Sequence, residues 1–335
     1  MTASHLSPAE IDALTLPSFD ALTLDPAGPP GNIWGLYGSA DELGMLNLLT
    51  PSTVAAAARE EIRTGVRVSL DLPLNVPPRP CFGRQEFSHE VRHRGQGRVV
   101  NDDVLCFNTQ ASTQWDGFRH CGNHKLQRFY MNHTQEEVHN TTVLGTDAWL
   151  RNGGIQGRGI LIDWASWKTA RGDTLPDPFS STPVPLAEVQ QILAETHVTP
   201  RRGDILFLRT GVDAAIKALS ETASAELAAR PEPNFLGLEA GEDTLRWLWS
   251  CGFAAVASDC PSFERAPVAG PHADLEHTLH QWCLAAWGMP IGELFDLEEV
   301  AGRCKEDGRW SFFVSSVPLK VPGGVASPPN AVAIF

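Results

Sequence analysis

Basic residues are scarce in this chain: 26 Lys and Arg stand against 40 Asp and Glu in 335 residues, a formal charge of -14. Nucleic-acid binding needs a surplus of cations on one face, so neither DNA nor RNA is expected as a partner. Long apolar runs are missing too. No stretch approaches the roughly 20 residues that span a bilayer, and Met1 to Leu16 has no basic start followed by an apolar block. No membrane partner is expected, and a cytoplasmic location is the default. The seven cysteines lie far apart and form no C-x-x-C pair, so they read as buried thiols in a reducing compartment. Neither a Ser/Gly-rich linker nor an internal repeat divides the chain. What is present is 42% hydrophobic residues, enough for a large core.

Residues 1–30, rich in Pro, Ser and Asp, read as an N-terminal arm whose Leu14, Leu16, Phe19 and Leu22 lie along a neighbouring surface, such as a partner subunit. Residues 31–335 then form one domain. Thr50 as N-cap and Pro51 at the first helical position predict a helix from about Ser52 to Gly65. Strands are expected over Val66–Leu72, Arg98–Phe107, Gly159–Asp163, Asp204–Arg209, Phe253–Ala257, Trp310–Val321 and Ala331–Phe335. Helical spacing covers Pro185–Glu195 and Asp274–Trp287. Alternation through the middle with strands at both ends predicts a single α/β domain.

Chemistry concentrates in Thr113-Gln-Trp-Asp-Gly-Phe-Arg-His120. Asp116 and His120, four apart, suit a shared metal or a base with its orienting partner. They equally suit a turn-capping acid and a hydrogen-bonded buried histidine. Trp115 fits a core as well as a substrate platform. Trp115, Phe118, Phe129 and Tyr130 together imply a flat or aromatic small-molecule ligand, Tyr130 also being able to donate to an oxyanion. Asp259 and Ser262 sit where a strand ends, the usual pocket edge of an α/β sheet. His89 and His93 read as an exposed pair.

Several blocks in order resemble the cyclase family of metal-dependent hydrolases, which includes bacterial arylformamidases of kynurenine formation and isatin hydrolase. They are Trp34-Gly35 with Asp41 to Gly44 and Leu46 to Pro51, Gly203 to Gly211, Asp259 to Ser262, Gly288 to Glu293 and the tail from Pro318. The family motif H-x-G-T-H-x-D-x-P-x-H falls on residues 110–120. Thr113, Asp116 and His120 match it, while Gln110 and Gln114 replace two histidines and Phe118 the proline.

The resemblance implies a swivelling β/β/α domain with mixed sheets and a homodimer or homotetramer. It also implies a divalent metal held at Gln110, Gln114, Asp116, His280 and Glu293, with His277 as the fallback for His280. His120 is implied as the proton carrier, and Trp115, Phe118, Tyr130 and Asp259 are the expected substrate contacts. Glutamine offers only an amide oxygen where histidine offers nitrogen, which moves the site from zinc toward manganese or magnesium. The expected activity is hydrolysis of a non-peptide C–N bond in a cyclic or aryl amide, or of a lactone, in the manner of an arylformamidase. Neither formylkynurenine nor isatin carries over as substrate, because the residues that define those sites differ. The alternatives are a metal-free lyase, isomerase or cyclase using Asp116 and His120, and a non-catalytic binding protein.

Overall fold

A computed structural model describes residues 5–268 and 274–335; residues 1–4 of the expected arm lie outside it. A nine-stranded mixed sheet organises the chain. Its order is Arg67–Ser69, Ala331–Ile334, Ser311–Ser316, Ile155–Asp163, Ile205–Arg209, Ala255–Ser258, Ile291–Glu293, Gln114–Asp116, Ala326–Ser327. The four central strands from Ile155–Asp163 to Ile291–Glu293 run parallel, and the flanking pairs are antiparallel. The parallel strands are buried almost throughout, which is why they read as short apolar runs rather than as alternating ones.

Helices close the faces of this sheet. Pro51–Glu61 begins where expected, with Thr50 Oγ1 accepting from the Thr53 amide, and Leu186–Glu195 matches its predicted span. The helix predicted over Asp274–Trp287 is shorter. Regular structure starts only at Leu279 and continues as a wide π-type turn over Gln281–Trp287, because the Glu264 carboxylate takes the Leu279 and His280 amides and fixes the start there. The helix Glu242–Cys251, absent from the sequence expectation, buries Leu245, Leu248 and Trp249 on one face.

The described part of the arm, residues 5–30, makes contacts with the chain's own body. Phe19 stacks on Trp282 at 5.7 Å, Trp249 Nε1 donates to the Pro17 carbonyl, and Arg202 donates to the Ile11 and Leu14 carbonyls. Of the seven thiols only Cys260, Cys283 and Cys304 are buried, and Cys106 is exposed on a hairpin strand. That hairpin, Ser88–His93 with Asn101–Cys106, is exposed along both strands and is separate from the main sheet.

Candidate active site

Strand periodicity builds the centre. Successive side chains alternate between faces, so Gln114 and Asp116 share one face of their strand and Trp115 takes the other. The neighbouring strand pairs Glu293 with Gln114 and Ile291 with Asp116, which brings Glu293 to the same face. Gly292 lies opposite Trp115, where an added Cβ would come within 2.8 Å of the indole; glycine lets that ring lie against the strand.

A continuous chain of polar contacts links these groups. Gln110 Nε2 donates to Asp116 Oδ1, Gln114 Nε2 donates to Glu293 Oε2 at 2.6 Å, and His280 Nε2 is 3.2 Å from Glu293 Oε1. His280 Nδ1 lies 2.8 Å from Glu264 Oε1. Asp116 Oδ2 is buried without a hydrogen-bond partner, as is Gln114 Oε1. That Asp116 oxygen sits 3.8 Å from His120 Nε2 and 3.9 Å from His280 Nε2. These three atoms lie within 4.8 Å of one another. The separations are too long for hydrogen bonds, yet they leave room for one ion on Asp116 Oδ2 and His280 Nε2 with His120 Nε2 beside it, since metal bonds to such ligands run about 2.0–2.2 Å.

Environment separates the titrating groups. Burial pushes the His120 ring below the ordinary histidine value, only partly opposed by Asp116. Burial alone would lower His280 as well, but its hydrogen bonds to Glu264 and Glu293 outweigh that and hold it well above. Glu293 is pushed up to about 7 by burial and then by the Asp116 charge. The centre thus holds one ring poised to accept a proton and one poised to keep it. A metal on His280 Nε2 has to displace that proton.

Five expected residues, Gln110, Gln114, Asp116, His280 and Glu293, are brought together, with His120 at the cavity side. His277 is not among them; it pairs with Asp274 at 2.6 Å, ahead of the helix. The four expected substrate contacts are placed elsewhere. Trp115 is fully buried on the far face, donating to Ser316 and packing against Phe295. Phe118 packs between Tyr130 and Trp149, and the Tyr130 hydroxyl donates to Asp41 rather than facing the cavity. Asp259 accepts from the Thr210, Gly211 and Val212 amides, closing a turn. None of the four lines the cavity at His120.

The profile of the Cyclase family matches residues 48–265. The chain belongs to the cyclase family. A solved structure described as a novel cyclase is 29% identical, covers 91% of this chain and 99% of its own, and superposes with a TM-score of 0.78. Isatin hydrolase A from Ralstonia solanacearum is 18% identical over 84% of this chain and 95% of its own, at 0.57. An isatin hydrolase bound to the product analogue thioisatinate is 16% identical over 85% and 97%, at 0.56. At these identities the two hydrolases show a common fold. No curated protein matches the chain.

Within this cyclase-family centre, sequence reasoning missed Glu264 and Arg84. Glu264 accepts three donors: the Leu279 amide, the His280 amide and His280 Nδ1. Arg84 lines the cavity together with His120, His280 and Glu293. Both reach the centre from irregular segments, so no periodic signal marks them.

Proposed function

We propose that this chain is a metal-dependent hydrolase of a cyclic or aryl amide, or of a lactone. The observation that carries this reading is the orphaned Asp116 Oδ2 between two imidazole nitrogens, a buried carboxylate oxygen that lacks the partner such atoms require. Asp116 and His280 would hold a divalent ion, with Glu293 and the unpartnered Gln114 amide oxygen completing an oxygen-rich set, to which Gln110 could add its own oxygen only by releasing Gln114. Such a set favours manganese or magnesium over zinc. Such an ion supplies Lewis-acid polarisation of a carbonyl and acidifies water. His120, lowered by burial and facing the cavity, takes the proton of the attacking water at Nε2 and returns it to the leaving nitrogen or oxygen.

Two measurements test this reading. Elemental analysis of purified protein, followed by chelation and add-back of manganese, magnesium and zinc, should find activity that follows the metal. His120→Ala should abolish turnover with metal content retained; parallel loss of both makes His120 a ligand instead.

A second reading, a metal-free lyase, isomerase or cyclase, is favoured by one observation. The Gln110 and Gln114 amides already satisfy one oxygen each of Asp116 and Glu293, and a protonated His280 offsets their charge. Full activity after exhaustive chelation selects it. The exposed hairpin, with Val91, Val99, Val100, Val104 and Leu105 open to solvent, supports assembly with a second copy of the chain, because a lone two-stranded hairpin is marginal in water. Among the described residues no helix is long and apolar enough to cross a membrane.

A further inference from the structure

The cavity at His120 is about 270 Å³, at the small end for ligand sites. Pro261, Val268 and Leu275 contribute an apolar side. Phe82 and Arg84 form part of its lip, and between them the backbone is left-handed at two consecutive residues, Phe82 at φ 63° and Gly83 at φ 64°. For phenylalanine this conformation is unfavourable, and such residues gather at ligand sites. The turn leaves the Phe82 ring 47% exposed and sets the Arg84 guanidinium 4.8 Å from its centroid.

Arg84 differs from the other enclosed arginines. Arg158, Arg209 and Arg309 each hold carboxylates, and Arg119 is taken up by three backbone carbonyls. Arg84 Nη1 donates to the Gln110 carbonyl at 2.5 Å, and among the described residues no carboxylate lies within 4.0 Å of its guanidinium. It is the one Arg or Lys among the described residues that line this cavity. Guanidinium has five donors in a fork that matches a carboxylate. Most of that fork is unused.

Gln110 ties this lip to the reaction centre. Its carbonyl anchors Arg84 while its side-chain amide holds Asp116. One residue therefore sets the spacing between the guanidinium and the orphaned Asp116 oxygen. We propose that Arg84, braced by Phe82 and Gln110, is the recognition site for an anionic group, so that the substrate is a small amide or lactone bearing a carboxylate beside a flat apolar body. This rests on the hydrolase reading for the reacting bond alone. Asp116 and Glu293 repel an anion from the centre itself, so a guanidinium at the rim is suited to hold the anionic group to one side of the reacting bond.

Benzoate and benzamide test it, being matched in shape and different in charge. Calorimetric titration into the full-length protein, as purified and after chelation, should find benzoate bound about tenfold or more tighter than benzamide, as expected for a charge-assisted pair. Arg84→Gln should erase that difference while leaving benzamide affinity unchanged, and Arg84→Lys should keep part of it. Equal binding in the wild type overturns the proposal, as does a benzoate preference that survives in Arg84→Gln, which assigns the anion to the metal instead. Binding needs neither turnover nor metal, so the two readings fail separately. Equal binding of benzoate and benzamide by the wild type, with metal content and hydrolysis intact, refutes the anion site alone; a wild-type preference in metal-free protein without hydrolysis refutes the hydrolase alone.

Discussion

Glu264→Gln replaces one atom in the group that presents His280. The carboxylate now accepts from the Leu279 amide at 2.9 Å with one oxygen, and from the His280 amide and Nδ1, both at 2.8 Å, with the other. All three partners are donors, so Nδ1 carries a proton and Nε2 is the nitrogen left to face Asp116 and Glu293. An amide has one oxygen. Turned toward His280, it sets its NH2 against the Leu279 amide; turned the other way, it sets NH2 against the His280 amide and donates to Nδ1, which forces the wrong tautomer. Either orientation strands a buried donor, at a cost of about 1–3 kcal/mol. Loss of a partner that orients a metal-binding histidine typically weakens metal affinity or activity about 10–100-fold. Urea unfolding should therefore show a lowered midpoint at unchanged slope, calorimetry with manganese a weaker site, and nitrogen NMR of labelled histidine a changed protonation of the His280 ring. Glu264→Asp, which keeps both carboxylate oxygens as acceptors, should restore part of the wild-type His280 signal. Wild-type metal affinity together with an unchanged His280 spectrum in Glu264→Gln would refute the positioning role.

Trp115→Ala should cost about 3–5 kcal/mol of stability as a core truncation, measured by denaturant unfolding; a normal midpoint with a raised KM would instead return Trp115 to the substrate. Burial raises the Asp71 carboxyl to about 6, opposed in part by the Ala331 and Asn330 amides. An unfolded Asp titrates near ~3.9, so between about pH 4 and 6 the native state holds a proton that the unfolded chain has released. Stability then falls as pH rises through that window, by up to about 3 kcal/mol. Asp71→Asn should flatten this part of the profile, and identical wild-type and variant slopes between pH 4 and 6.5 would count against it. Val91→Lys with Val104→Lys should shift sedimentation velocity from oligomer to single chain with little loss of chain stability, since both side chains are exposed on the isolated hairpin; an unchanged sedimentation coefficient removes the hairpin from the assembly contact.

Much of the architecture was legible because it is local. Thr50-Pro51 starts a helix through capping and a preset φ, and the runs at 159–163 and 204–209 are strands because buried parallel strands need continuous apolar residues. The helix Glu242–Cys251 was not among the expectations, although Leu245, Leu248 and Trp249 repeat at helical spacing. Trp115 carried its own correction: a residue between Gln114 and Asp116 on a strand faces away from both. Asp259 and Tyr130 did not, because their partners Thr210 and Asp41 lie 49 and 89 residues away.

The sequence by itself determined the inventory: an acidic chain, an α/β alternation, and the acid, histidine and two glutamines of residues 110–120 in a family frame. These follow from composition, periodicity and residue type, which need no knowledge of distant contacts. Only the tertiary structure decided which groups meet. Strand pairing set Glu293 beside Gln114, the Glu264 carboxylate turned His280 toward Asp116, and the Gln110 carbonyl brought Arg84 to the same cavity. It also left one Asp116 oxygen without a partner. An unmet hydrogen bond is a property of everything packed around an atom, and no stretch of sequence contains it.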